Sequence, residues 1–287
     1  MCSIRIIGST LAAIFLSAQV AHADMLRVTP PWLKSHLQEA NLVIVDSRSQ
    51  ADYEVDHIPG AINFPESLTY QQKSSGGQIV EADIMQGLLR ERGINYDKLI
   101  VVYDGGQLID AARVFWAFEV YGLTNVKVLD SGYDNWTRNN YPVTGDNPVV
   151  KASDYVVSID HRRIASKFTT QLATANPKQV IVDARAAESY QGLKSTASRF
   201  GHIPTAINIP VALNIEEHAG MNSLRSIEEL KTIYNQLPQN SKVVAYCEIG
   251  RVSATVYFAL RELGYDVAKY DASWREWGND LSLPIEK

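Results

Sequence analysis

Two of the 287 residues are cysteines, Cys2 and Cys247. Cys247 stands in "VVAYCEIGRVSATVYFAL" (243–260), after a β-branched apolar run that predicts a buried strand and before a stretch with helical apolar spacing. A turn that feeds a helix aims several backbone N–H groups and the positive end of the helix dipole at one spot. A thiol held there loses its proton more readily, and the thiolate is the attacking species. Gly250 lets the backbone curl without a Cβ in the way, and Arg251, four positions after the cysteine, places a cation at the mouth. Glu248, Ile249, Gly250, Arg251 and Val252 thus frame a candidate anion cradle with Cys247 at its base. The competing reading of Cys247 is a small buried hydrophobe that ends a strand. Phosphatase chemistry would need an arginine six positions after the cysteine to grip phosphate, and that position is Ser253. His57 and His202 lack neighbouring ligands at a useful spacing, so no metal and no cofactor is expected; their expected task is to fix the turn at the adjoining His-Ile-Pro.

The elements that must position this loop occur twice. "LVIVDSRSQADYEVDHIPGAINFP" (42–65) is echoed by "VIVDARAAESYQGLKSTASRFGHIPTAINIP" (180–210), and "LIVVYDGGQLIDAARVFWAFEVYG" (from 99) by "KVVAYCEIGRVSATVYFALRELG" (from 242). Each half closes on a tryptophan-bearing segment, "VKVLDSGYDNWTRNNYPV" and "DVAKYDASWREWGNDLSLP". A repeat of more than 100 residues is a duplicated domain rather than a solenoid. Short β-branched runs alternating with amphipathic stretches predict an α/β fold of two tandem domains, each a mainly parallel sheet with helices on both faces. The expected bounds are 24–145 and 158–287, joined by a linker over 146–157. In such sheets ligands gather beyond the carboxyl ends of the strands, where Cys247 and the Asp183-x-Arg185 pair both fall. At the place of Cys247 the first half carries Asp104, so the fold position does not itself require a cysteine.

These motifs resemble those of the tandem-domain rhodaneses, a sulfurtransferase family: "YEVDHIPGAINF" and "FGHIPTAINIP" near the start of each half, "CEIGRVS" in the second, and the closing "YDASWREWG". The resemblance implies two rhodanese-like domains, the first inactive with Asp104, the second catalytic with Cys247. It also implies a double displacement, in which the thiolate takes a sulfane sulfur from a small anionic donor and passes it from a persulfide to a thiophilic acceptor such as cyanide or a thiol. Arg185 matches an arginine that in relatives contacts the donor. Its alternative is a structural ion pair with Asp183, favoured by the same D-x-R in the first half, Asp46 and Arg48. Family enzymes acting on thiosulfate often have basic residues after the cysteine, and those acting on mercaptopyruvate often have Gly-Ser-Gly. Glu248-Ile249-Gly250 matches neither, Ile249 stands where the latter place a serine, and a relay through that hydroxyl and His57 has no serine to run through. Thiosulfate is the expected donor and mercaptopyruvate the alternative. A carrier that hands sulfur to a protein acceptor, or a protein-binding module, is the reading from outside enzymology.

A formal charge of −5, with both signs interspersed, gives no reason to expect nucleic acid as a partner. Arg5, the apolar stretch 6–20 and Ala21-His22-Ala23 predict a secretory signal peptide over residues 1–23, cleaved to leave no stable membrane insertion and a periplasmic protein. Cleavage would also remove Cys2, leaving Cys247 as the one thiol.

Overall fold

The computed structural model describes residues 25–71 and 77–287. The signal peptide expected over 1–23, and residues 73–76 of the loop that follows Gln71, lie outside the described residues. The first unit runs β1 (Arg27–Val28), α1 (Pro30–His36), β2 (Leu42–Asp46), α2 (Gln50–Val55), β3 (Ala61–Asn63), α3 (Ala82–Glu91), β4 (Leu99–Tyr103), α4 (Ile109–Val120), β5 (Val126–Leu129) and α5 (Gly132–Arg138). The second runs β6 (Ile164–Ala165), α6 (Lys167–Thr174), β7 (Gln179–Asp183), α7 (Ala187–Tyr190), β8 (Ile207–Asn208), a hairpin of β9 (Ile215–His218) and β10 (Met221–Leu224), α8 (Ile227–Ile233), β11 (Lys242–Tyr246), α9 (Ser253–Glu262), β12 (Asp266–Tyr270) and α10 (Ser273–Trp277).

Each unit is built on a five-stranded parallel sheet, in the order β1-β5-β4-β2-β3 and β6-β12-β11-β7-β8. The central strands read as unbroken apolar runs because helices cover both faces. Register repeats as well: Asp46 lies opposite Tyr103, and Asp183 opposite Tyr246. Ser166 and Ser226 close capping boxes at α6 and α8, and Thr29 caps α1 ahead of Pro30. The expected linker is a strap laid along the first unit. The buried Tyr155 donates its hydroxyl to the Tyr121 carbonyl (2.6 Å), Arg90 Nε donates to the Tyr155 carbonyl (2.7 Å), and Asp160 N–H donates to Val120 (2.7 Å).

α4 and α9 are apolar nearly all round, the mark of a helix covered on every side. Each packs on its own sheet and on the other, so that one hydrophobic core spans both units. Phe115 meets Phe258 edge-on at 4.9 Å between centroids. Glu119 of α4 lies within this contact, accepting the Tyr257 hydroxyl (2.5 Å) and Arg261 Nη2 (2.8 Å). The loops are exchanged too. The β9–β10 hairpin crosses onto the first unit, with Asn222 N–H on the Gly106 carbonyl (2.7 Å), while Glu66 and Ile79 of the first unit meet Arg251 and Asp271 beside the loop that bears Cys247. No helix among the described residues is long and apolar enough to cross a membrane. Glu119→Ala should strip a buried hydroxyl, that of Tyr257, and a partly buried guanidinium, that of Arg261, and lower stability by about 2 kcal/mol, measured by urea denaturation of the full chain; a loss under about 0.5 kcal/mol would show that the two units do not depend on this contact.

Candidate active site

Cys247 follows β11 directly and is 1 % exposed. The loop is stitched to the closing tryptophan segment. Cys247 N–H donates to Ser273 Oγ (3.2 Å), Ser273 Oγ donates to the Tyr270 carbonyl (2.8 Å), and the carbonyls of Cys247 and Glu248 accept from Trp274 and Arg275 N–H (both 3.0 Å). None of the amide N–H groups from Glu248 to Ser253 meets an acceptor among the described residues. Six such groups in a curled loop at the start of the ten-residue α9 form a nest for negative charge.

The first unit shows what such a loop does when an anion is present. Asp104 takes the place of Cys247, and its carboxylate accepts from Gly106 (2.9 Å), Gln107 (3.1 Å), Asp110 (3.2 Å) and Ala111 (3.3 Å) N–H. Burial pushes the Asp104 carboxyl up from its ordinary value, against the pull of these amides. The first cradle is thus closed by its own side chain.

Gly250 bends the second loop at φ +76°, and a Cβ there would lie 2.3 Å from the Asp271 carbonyl oxygen and 2.7 Å from its carboxylate. Conformation and space both demand glycine. Ile249 is half-buried, its carbonyl pressed so closely by Gly77 that a Cβ on that glycine would stand 2.1 Å away. Val252 packs its partly buried side chain on the common core.

Both candidate arginines hold carboxylates of the chain. Arg185 is 4 % exposed and makes the ion pair that was the alternative: Nε and Nη2 donate to Asp183 (3.0 and 2.6 Å), and Nη2 also to the Gly201 carbonyl (2.8 Å). Tyr246 completes the cluster, its hydroxyl on Asp183 (2.5 Å), and Arg48, Asp46 and Tyr103 repeat it in the first unit. Nη1 of Arg185 alone has no hydrogen-bond partner, and it lies 3.7 Å from Glu248 Oε2. Glu248 also accepts from the Thr196 hydroxyl, so its charge is met by its own unit. Arg251 is at the rim and pairs with carboxylates of the first unit, Asp110 (2.6 Å) and Glu66 (3.5 Å).

His57 and His202 fix their turns as expected: each stacks on a tyrosine, Tyr53 or Tyr190, and bonds that tyrosine's carbonyl (2.9 and 2.8 Å). The second nitrogen of His57 meets the Asp146 carbonyl (3.2 Å), leaving no arm for a relay to the cysteine. No group of three or more potential metal ligands occurs among the described residues. A cleft of about 660 Å³ between Gln78–Ile79 and Lys167–Phe168 touches Asp271 and Ala272 and is not lined by Cys247.

The rhodanese-like domain family model matches residues 29–139 and 165–280, one copy on each sheet. The chain belongs to the rhodanese family. A Haloferax volcanii protein named "putative thiosulfate sulfurtransferase" is 33% identical over 284 residues, covering 93% of this chain and 98% of its own. The Mycobacterium bovis protein named "putative thiosulfate sulfurtransferase SseA" is 32% identical over 284 residues, covering 92% and 91%. Among solved structures, the Escherichia coli 3-mercaptopyruvate sulfotransferase SseA superposes with TM-score 0.77 at 25% identity, over 87% of this chain and 99% of that one. Sequence reasoning missed three residues behind the rhodanese loop: Arg113, Lys269 and Asp271. Their signal was a charge inside an apolar helix and another inside an apolar strand, which marks a buried, partnered ion. Gly250→Ala should cost about 2 kcal/mol or more and remove most sulfur transfer, measured by thermal unfolding and by turnover; wild-type turnover would show that the bend at Gly250 does not shape the cradle.

Proposed function

We propose that this rhodanese-family sulfurtransferase moves a sulfane sulfur from thiosulfate, through a persulfide on Cys247, to cyanide or a thiol. The observation that carries the reading is the pair of cradles, one filled by the Asp104 carboxylate and one, with its amides unengaged, at Cys247. The Cys247 thiolate attacks the outer sulfur of thiosulfate, the S–S bond breaks and its electron pair leaves with sulfite. The persulfide that remains ends in a sulfur anion, and the N–H groups from Glu248 to Ser253, without acceptors among the described residues, are the donors we assign to it. Cyanide or a thiolate then takes that sulfur and returns the thiolate of Cys247.

The names of the Haloferax and Mycobacterium relatives support thiosulfate as donor. Mercaptopyruvate is the second candidate, from the name of the Escherichia coli fold neighbour, and Ile249 speaks against it by bringing no hydroxyl to the loop. Among the groups at the cradle, Arg251 is the exposed cation and serves as the rim contact for an anionic donor, in exchange with Asp110 and Glu66. Arg185 acts from behind, holding the strand end and facing Glu248. Handing the sulfur to a protein acceptor is compatible with this scheme. The leader pattern at residues 1–23 supports a periplasmic site of action.

Incubating the reduced, folded protein with thiosulfate should add one sulfur atom to Cys247, and cyanide should remove it, both read by intact mass. Cys247→Ser should abolish the gain and Asp104→Asn should leave it intact. No gain with thiosulfate, mercaptopyruvate or polysulfide would overturn the assignment; a gain that only a protein acceptor discharges would make this a carrier. A larger initial rate with mercaptopyruvate than with thiosulfate would reverse the choice of donor.

A further inference from the structure

The duplication isolates one device that the cysteine-bearing half has and the other lacks. In matched register, Lys269 of β12 stands opposite Ala245 of β11, where the first sheet has Val128 opposite Val102. Nine residues after Asp104 comes Arg113, and nine after Cys247 comes Val256. Asp271 and Asp130 each follow the last strand of their sheet, but only Asp271 meets two cations. Asp130 leaves one carboxylate oxygen buried with no partner.

The cations converge on the carbonyl of Gly250. Lys269 Nζ donates to it at 2.7 Å and Arg113 Nη1 at 3.0 Å, and the same two groups donate to Asp271 Oδ1 at 2.6 and 2.5 Å. Both side chains are wholly buried. Trp116 of α4 lies beneath them, with Lys269 Nζ 3.5 Å from its ring centroid. A carbonyl drawn inward by two charged donors turns its peptide unit, and the next amide, Arg251 N–H, faces the opposite way.

We propose that Lys269, together with Arg113 of the first unit, is a positioning residue of the sulfur cradle, clamping the Gly250 carbonyl so that the loop amides stay turned toward sulfur on Cys247. The proposal rests on Cys247 carrying that sulfur. It assigns the cysteine-free unit a part in catalysis, because Arg113 reaches the loop from α4. It also joins the site to pH. The groups that face Lys269 are Arg113 from α4, Asp271 from the turn after β12, and Cys247 after β11. Burial, then Arg113, hold Lys269 down to about 7, while Asp271 and Cys247 favour its charged form. Burial works to raise Asp271, but the two cations outweigh it and hold its carboxyl below the ordinary value. Tyr70 and Tyr121 nearby are pushed up out of the neutral range, chiefly by burial. Lys269 is therefore charged below about pH 7 and neutral above it. Its support for an anionic sulfur fades as pH rises through that value.

Linkage fixes the sign for stability. A lysine depressed in the fold and ordinary in the unfolded chain binds fewer protons when folded, so its cost is complete below about 7 and declines as pH rises toward the unfolded value. Lys269→Met removes a buried charge and leaves Asp271 paired with Arg113, so at pH 6 its melting temperature should equal or exceed that of the wild type. Its intact mass should still gain one sulfur from thiosulfate. Turnover with thiosulfate and cyanide should nevertheless fall on the order of tenfold in kcat with KM within about twofold, the pattern of a contact that matters in the transition state. The decline in wild-type turnover centred near pH 7 should vanish in the variant. Wild-type kcat in Lys269→Met, or a melting temperature that drops along with activity, would overturn the clamp. Arg113→Lys keeps the charge and shortens the reach. If Lys269→Met does not fold, Arg113→Lys decides: a fall in kcat at constant KM supports the proposal and unchanged kcat overturns it. Failure of the wild type to take up sulfur would overturn the persulfide reading and the clamp together, whereas normal uptake with unaltered turnover in the variants would overturn the clamp alone.

Discussion

A backbone loop that gathers several N–H groups around one point favours negative charge there, because N–H groups left without an acceptor cost free energy. The two halves of this chain meet that constraint in opposite ways. In the first, the Asp104 carboxylate accepts four of its own loop amides, and the site is complete without a ligand. In the second, the nearly buried Cys247 sits at the base and the amides from Glu248 to Ser253 have no acceptor among the described residues. On the proposed reading, a persulfide anion on Cys247 would supply an acceptor to these amides, and the loop would favour the sulfur-loaded form. The chemistry is encoded as an unmet hydrogen-bonding demand.

Meeting that demand late requires a loop stiff enough not to collapse onto its own amides. The stiffness comes from outside the loop. Trp274 and Arg275 fasten its first two carbonyls, and Lys269 and Arg113 fasten the fourth residue's, the last of these from the other unit. α4 and α9 share one core, and each unit lays a segment over the other's loop. Buried ions such as Arg113, Lys269 and Asp271 are weak sources of stability, since desolvation offsets their attraction. Their value lies in geometry. The matching positions, Val128 of the first sheet and Val256 of α9, are apolar and wholly buried in the common core.

Which parts of this were legible in sequence follows from the range of the interactions. The sheets and their order of elements were readable because duplicated apolar runs and glycine turns are local patterns, and the repeat served as an internal alignment. Cys247 was readable for the same reason, set against Asp104. The role of Arg185 was ambiguous because D-x-R carries no information on where the guanidinium points; only the fold shows Nε and Nη2 turned onto Asp183 and Gly201. Arg251 read as a free cation because its partners, Asp110 and Glu66, lie more than 140 residues away in sequence. Arg113 was hidden by a similar distance from Gly250 and Asp271, whereas Lys269 sits near both in sequence and was hidden because its strand read as apolar. A lone charge in an apolar run says that a partner exists, not which residue it is.

The electrostatics around the cradle bear on what kind of donor it accepts. Among the described residues, Arg185 is paired with Asp183 and Arg251 with Asp110 and Glu66, while Lys269 and Arg113 share the single carboxylate of Asp271 behind the loop. Glu248 adds a carboxylate beside the one guanidinium nitrogen left over. A dianion entering such a site meets cations that already hold carboxylates, and so a weaker positive field than where basic residues follow the cysteine. It must be held by peptide dipoles, which act only at contact and fall off steeply with distance. Long-range attraction of the donor is therefore traded for short-range recognition of the transferred sulfur. A site of this kind discriminates at the moment of transfer rather than at capture, and the donor's charge matters less than whether its outer sulfur reaches the nest.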